Sequence, residues 1–499
     1  ERLVEIATTS ELVKLELVPL FNMAISKVPA QFNVKFLKDS VTTDELVNDV
    51  NVLVDIAKLA VEFGALDLIF TGDAEFNLDA AIEAVPFLEQ LNIATKNNKE
   101  IAELVFNMIL PALKLEKVSA ADFENINFAA ENAVLVNALE EVKVLCEAEG
   151  FDKVSEIIKF VKNREFLYID KYEQVYSDEA ILSIERLVEV ATTSELVKLE
   201  LVPLFNKAIS LVPAQFDVQF LKDSVTADEL ANDLNVLVDI AKLAVDFGAV
   251  EYIFTKDIAE INVNYVAEAV ALFEELNILT NNNKEIAAFA FNFVYEKLGI
   301  NQNKRAAKVQ AADFENINFA SENAKLQEVI ALIGEIKTDL QLNSLSDVMN
   351  FVNNKEYANF EEFTALTYTH AEELIGVLVD TELAQYALPT VFDFALDKVA
   401  AKGLDCSYLS GQFTGAELAN DVKVLVSEAV RWVRNNGIIT AIKNKEIQAN
   451  YVDELAITVR ALKDVNIVNK EQAKLTVVIY SYSPLDLYLP TSIIFLFAC

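Results

Sequence analysis

Residues 185–254 are residues 1–70 written a second time. ERLVEIATTSELVKLELVPLF becomes ERLVEVATTSELVKLELVPLF, and about 58 of the 70 paired positions are identical at an offset of 184. A duplication of this length is the mark of a repeat protein. It constrains the fold more than any single motif, because whatever the first copy forms, the second must form again.

The duplication also divides the chain. Residues 1–184 are a first unit and 185–371 a second. Residues 372–481 read as a third, incomplete unit: Glu417-Leu418-Ala419-Asn420-Asp421 matches Glu229 to Asp233, and Asn450-Tyr451-Val452 matches Asn264-Tyr265-Val266. From about Tyr482 the pattern is lost, and residues 482–499 are an unassigned apolar tail. A fainter echo runs inside the unit. Phe21-Asn22-Met23 and Phe106-Asn107-Met108 each precede an aromatic block and a long helical pattern ending in Gly. The unit of about 185 residues is therefore read as two divergent halves of roughly 90, a period unlike the common short helical repeats.

Composition selects the class of structure. Only 11 Gly and 9 Pro occur in 499 residues, far below the roughly 7% and 5% of ordinary proteins. All-β folds need such residues at every turn, so long helices with few breaks are expected. With 53% hydrophobic residues the chain can bury a core. The expected fold is all-α: tandem helical repeats forming an elongated array or solenoid.

Local signals agree. Thr42-Thr43-Asp44-Glu45 has the form of a capping box, an N-cap hydroxyl with Glu three residues on. It returns as Thr226 to Glu229 and Thr414 to Glu417. The helix it opens should end at Gly64, and in the second copy at Gly248. Its polar residues Asn48, Asn51, Asp55, Lys58 and Glu62 form one narrow stripe, which predicts a spine helix buried on most sides. A helix over 11–28 should kink at Pro19, and Gln31 to Phe36 should be an extended connector. Further helices are expected at about 79–91, 99–110, 129–149 and 152–163. Ala121 to Phe128 (ADFENINF) returns as Ala312 to Phe319, and the Tyr-bearing stretch 167–176 joins the units.

The formal charge of -37 repels phosphate backbones and anionic leaflets. Nucleic acid and anionic membrane are thus unexpected partners, and a protein or cell-surface ligand is expected. Three cysteines make no disulfide framework and leave the redox compartment open. The sequence begins inside a repeat, without Met, and reads as part of something longer. No run approaches the roughly 20 apolar residues of a membrane-spanning helix.

Little in the sequence carries chemistry. The single histidine, His370, is expected to be a solvated helix-start residue. Nucleotide-binding, hydrolase and paired-Cys metal motifs do not occur. Asp73, Glu75, Asn77 and Asp79 offer alternating oxygens, but Leu78 stands where a calcium loop needs Gly, so a helix cap is favoured. Glu140-Glu141 and Glu274-Glu275 are expected on solvated faces. Lys423, Arg431 and Arg434 beside Trp432 suggest an exposed basic face, able at most to meet an acidic partner. No catalytic, cofactor-binding or metal residue is assigned, and no cofactor is expected.

The expected function is non-enzymatic: a structural or adhesive repeat region of a larger bacterial cell-surface or secreted protein. It would act as a spacer or multivalent protein-binding array. The alternative is an intracellular helical scaffold for protein–protein contacts. An enzyme ranks third, because no distinctive polar cluster is present.

Overall fold

A computed structural model describes residues 2–29, 32–65, 67, 75–111, 113–163, 178–300, 308–356, 363–401, 406–436 and 451–470. The described residues are all-helical, with no strand among them. Two compact units are distinguished, Glu1–Lys242 and Leu243–Cys499. The expected stretch 167–176 and the tail 482–499 lie outside the described residues.

The first unit opens with α1 (Arg2–Thr9), α2 (Glu11–Lys27) and α3 (Thr43–Glu62). It continues through α4 (Leu78–Ala84), α5 (Asn92–Lys96), α6 (Asn98–Ile109), α7 (Phe128–Glu149) and α8 (Val154–Asn163). Then come α9 (Asp178–Thr193), α10 (Glu195–Leu211) and α11 (Ala227–Asp246). The unit boundary falls inside α11. The second unit carries α12 (Ala249–Thr255), α13 (Val263–Leu272), α14 (Asn277–Asn281), α15 (Asn283–Leu298), α16 (Phe319–Asp339) and α17 (Leu345–Asn353). It closes with α18 (Ala365–Asp380), α19 (Glu382–Ala400), α20 (Gly415–Asn436) and α21 (Tyr451–Ala461).

The capping boxes form as the spacing predicts. The backbone N–H of Thr42 donates to Glu45 Oε2 at 2.8 Å, and the N–H of Glu45 returns to Thr42 Oγ1 at 3.4 Å. Thr226 with Glu229, and Thr414 with Glu417, make the same exchange at 2.7/3.3 Å and 3.0/3.2 Å. Each satisfies two backbone groups of its local turn, which fixes where the long helix starts. Gly64 and Gly248 follow the ends of α3 and α11 at φ 95° and 96°, a conformation that strains any residue with a Cβ. At Gly248 a Cβ would also lie 2.9 Å from the Ile258 side chain.

The Phe-Asn echo has a structural cause. Asn22 Nδ2 donates to Asp39 Oδ1 at 2.6 Å, and the Asp39 N–H donates back to Asn22 Oδ1 at 3.0 Å. Asn206 repeats both bonds with Asp223. Asn107 and Asn292 latch in the same reciprocal way onto the backbones of Val118 and Val309. In the third copy Asp393 holds the Gly411 N–H at 3.1 Å. Each latch folds the connection after one helix back against that helix. The neighbouring phenylalanines pack behind it: Phe106 edge-on to Phe123 at 5.3 Å, Phe291 stacked on Phe314 at 5.4 Å and Phe392 edge-on to Phe413 at 5.8 Å between centroids. Phe123 and Phe314 are the most deeply buried large side chains, at 0% exposure.

Three local expectations are corrected. Val34–Leu37 is a 3-10 turn, not an extended connector, because the latch shortens the path between α2 and α3. The helix expected over 79–91 stops at Ala84 and tightens into a 3-10 turn over Val85–Gln90, where Pro86 offers no N–H. The helix expected over 11–28 forms as α2 and runs on through Pro19, as α10 does through Pro203 and α19 through Pro389. The spine helix is not buried on most sides: Leu53 and Val61 are 46% and 53% exposed, and only Leu46, Asp49 and Val52 are buried.

Candidate functional site

The buried residue on α3 that sequence inspection passed over is a carboxylate. Asp49 is 0% exposed, and its counterparts Asp233 and Asp421 are each 2% exposed. Asp49 Oδ1 accepts from the Asn92 N–H at 2.7 Å and from Asn92 Nδ2 at 2.9 Å, while Oδ2 accepts from the Ile93 N–H at 2.9 Å. Asp421 receives the same three bonds from Asn466 and Ile467, at 2.6, 2.8 and 3.0 Å. A buried carboxylate is tolerable here because a helix start surrounds it with donors. Its signal was available in the block shared by Glu229 to Asp233 and Glu417 to Asp421.

A second buried acid works where one copy meets the next. Glu131, on α7, is 8% exposed. It accepts from Ser194 Oγ at 2.5 Å and from the Glu195 N–H at 2.9 Å, at the start of α10. Glu322, on α16, is 7% exposed. It accepts from the N–H groups of Glu382 and Leu383 at 2.9 and 3.1 Å, at the start of α19. In both cases the acid that follows the ADFENINF block seizes the start of the second helix of the following copy. Around the second joint, Tyr386 packs on Phe314 with centroids 4.9 Å apart and donates its hydroxyl to Asp313 at 3.1 Å. Burial and the adjacent Asp313 carboxylate push the Tyr386 phenol up to about 12.

Beside this joint lies a groove of about 720 Å³. Phe273, Leu279, Ile317, Leu326, Leu378 and Leu383 give it an apolar lining. At its edge Lys284 pairs with Glu315 at 2.8 Å and Asn323 donates to Glu274 at 2.9 Å. Such a lining suits apolar side chains of a peptide. Glu322, the buried acid among the lining residues, is held by backbone donors.

Residues singled out in the sequence fall elsewhere. His370 is not a solvated helix-start residue; it lies inside α18, 15% exposed at its side chain, with Nδ1 3.0 Å from Asp339 Oδ2. Asp73 is outside the described residues, while Asn77 caps α4 by accepting from the Asp79 N–H at 3.1 Å and Asp79 pairs with Lys143 at 2.6 Å. Among the described residues no His, Cys, Asp and Glu come together as a metal-holding group. Glu140, Glu274 and Glu275 are exposed, but Glu141 shields one carboxylate oxygen from solvent. Trp432 is 5% exposed and donates from Nε1 to Thr458 Oγ1 at 2.6 Å. It belongs to the core and not to a basic face. Arg431 turns inward to Glu428 and Thr458, Lys423 pairs with Asp380, and Arg434 stays exposed. Cys146 and Cys406 are buried, and burial pushes the Cys146 thiol up.

No helix among the described residues is long and apolar enough to cross a membrane. Comparison with family models, curated proteins and solved structures finds no match.

Proposed function

We propose that this chain is a non-enzymatic array of tandem helical repeats, serving as a spacer or multivalent protein-binding region of a larger bacterial surface or secreted protein. The observation that supports it most is the joint built twice. Glu131 and Glu322 each take the donors that start the second helix of the following copy, so one unit's fold includes a helix start of its neighbour. Units joined in that way form a continuous array, because the contact that ends one unit begins the next. Recurrent polar groups in the chain are spent on holding helices, which suits a mechanical or binding role better than turnover.

Multiplicity is then the useful property. A ligand bound weakly by one unit is held far more tightly by several, through effective concentration. The apolar groove beside the second joint offers a place for such binding and also supports the scaffold alternative. Binding of candidate surface proteins to chains of one, two and three units tests the proposal. Affinity rising by an order of magnitude or more with each added unit supports it. Turnover of a small substrate by a single unit, with only proportional gain from the others, contradicts it.

A further inference from the structure

The three copies present the same helix face in two different states. In the second copy, Leu196 and Leu199 on α10 are half-buried, and in the third copy Leu383 and Tyr386 on α19 occupy the same places. Leu383 and Tyr386 pack on the cluster around Phe314, part of the preceding ADFENINF block. In the first copy the equivalents are Leu12 and Leu15 on α2, and they are 78% and 73% exposed.

The polar half of the face differs in the same sense. Ser194 is 5% exposed, gives its hydroxyl to Glu131 and caps the Val197 N–H at 3.1 Å. Ser10 stands at the same place before α2 and makes no side-chain cap bond. Glu200, the partner position of the exposed Glu16, is half-buried in the second copy. The α2 face thus combines an apolar pair with a helix start whose counterparts in both later copies hold a buried carboxylate.

We propose that this face of α2, comprising Ser10, Leu12, Leu15 and Glu16, is a docking surface for one further unit of the same repeat, linked in tandem ahead of α1. The incoming unit would set its Phe-bearing ADFENINF block on Leu12 and Leu15. Its buried glutamate, the equivalent of Glu131, would accept from Ser10 and the Glu11 N–H. The proposal rests on the array reading, and it continues an interface formed twice in the chain. Charge complementarity is explicit: a carboxylate meets the positive end of a 17-residue helix.

The test extends the full chain with its own residues 1–184 placed ahead of Glu1, so that the junction between Ile184 and Glu185 is reproduced. The added unit carries Met23→Lys, the residue found at Lys207, so that peptides from the two α2 segments differ in mass. Carbene footprinting then reports side-chain exposure in the native and extended chains. In the native chain, Leu12 and Leu15 should label several-fold more than Leu196 and Leu199. In the extended chain, the original Leu12 and Leu15 should fall to the level of Leu196 and Leu199, while the added copy's pair stays high. Adding Glu131→Gln to the added unit should restore part of the labelling. Undiminished labelling of the original pair, with Leu196 and Leu199 still protected, overturns the docking proposal alone. Leu196 and Leu199 labelling as strongly as Leu12 in the native chain overturns the array reading itself. Protection of Leu12 that appears only on raising native protein concentration assigns the face to a second copy of the chain and also overturns the tandem occupant.

Discussion

Asp49 shows what a single buried carboxylate does in this molecule. Three N–H donors converge on it at the start of α5. Asp49→Ala leaves those donors unpaired and should cost about 3 kcal/mol. The half-exposed Asp55, paired with Lys58 at the surface, should cost under about 0.5 kcal/mol when replaced by Ala. Urea midpoints of the two variants measure the contrast. Two other carboxylates carry opposite pH signatures. Lys96 beside Glu45, with the Thr42 cap, holds its carboxyl down at about 2. Its contribution is therefore present above the ordinary value of 4.5 and lost as pH falls towards 2. Burial, with Asp122 nearby, pushes the Glu200 carboxyl up from 4.5. Its contribution is present below 4.5 and lost as pH rises through the raised value. Glu200→Gln should thus raise the melting temperature at neutral pH, and the gain should vanish in acid. At this scale the sequence was only partly legible. Asp49 was passed over beside the polar stripe, and Trp432 was read on an exposed basic face, because burial depends on partners 43 and 26 residues away.

Helix starts and stops were the most legible features, because caps are local chemistry. Thr226→Ala should cost roughly 0.5–2 kcal/mol, as loss of an N-cap does. Gly248→Ala should cost more than the roughly 1 kcal/mol of a left-handed backbone alone, since its Cβ would also press on Ile258. Gly150→Ala meets open space at a φ of 66° and should cost less than Gly248→Ala. Thermal melts of the three variants rank them directly. Helix burial was misjudged where the periodicity of α3 pointed to a wide apolar surface. Half-exposed Leu53 and Val61 show that apolar pattern alone does not say how many neighbours arrive. The Phe-Asn echo was visible as residues, but its reciprocal hydrogen bonds span 17 positions at Asn22 and 11 at Asn107. Only the folded chain brings those positions together.

Across the whole molecule, scarcity of Gly and Pro foretold the all-helical structure, and the duplication foretold recurrence of its local contacts. Neither could announce the joint, which depends on Glu131 and Glu322 reaching helix starts 64 and 60 residues on. The formal charge of -37 also acts globally. Like charges on the acidic faces repel, and screening relieves them. The melting temperature should therefore be higher in about 0.5 M than in about 0.02 M sodium chloride, since the Debye length shrinks several-fold over that range. The central claim, that copies join end to end through a rebuilt joint, is a claim about length. Small-angle scattering from chains of one, two and three linked units, each equivalent to residues 185–371, measures it. The account predicts a maximum dimension that grows by a near-constant increment with every unit. A dimension that grows only as the cube root of mass, as for a compact globule, would contradict it.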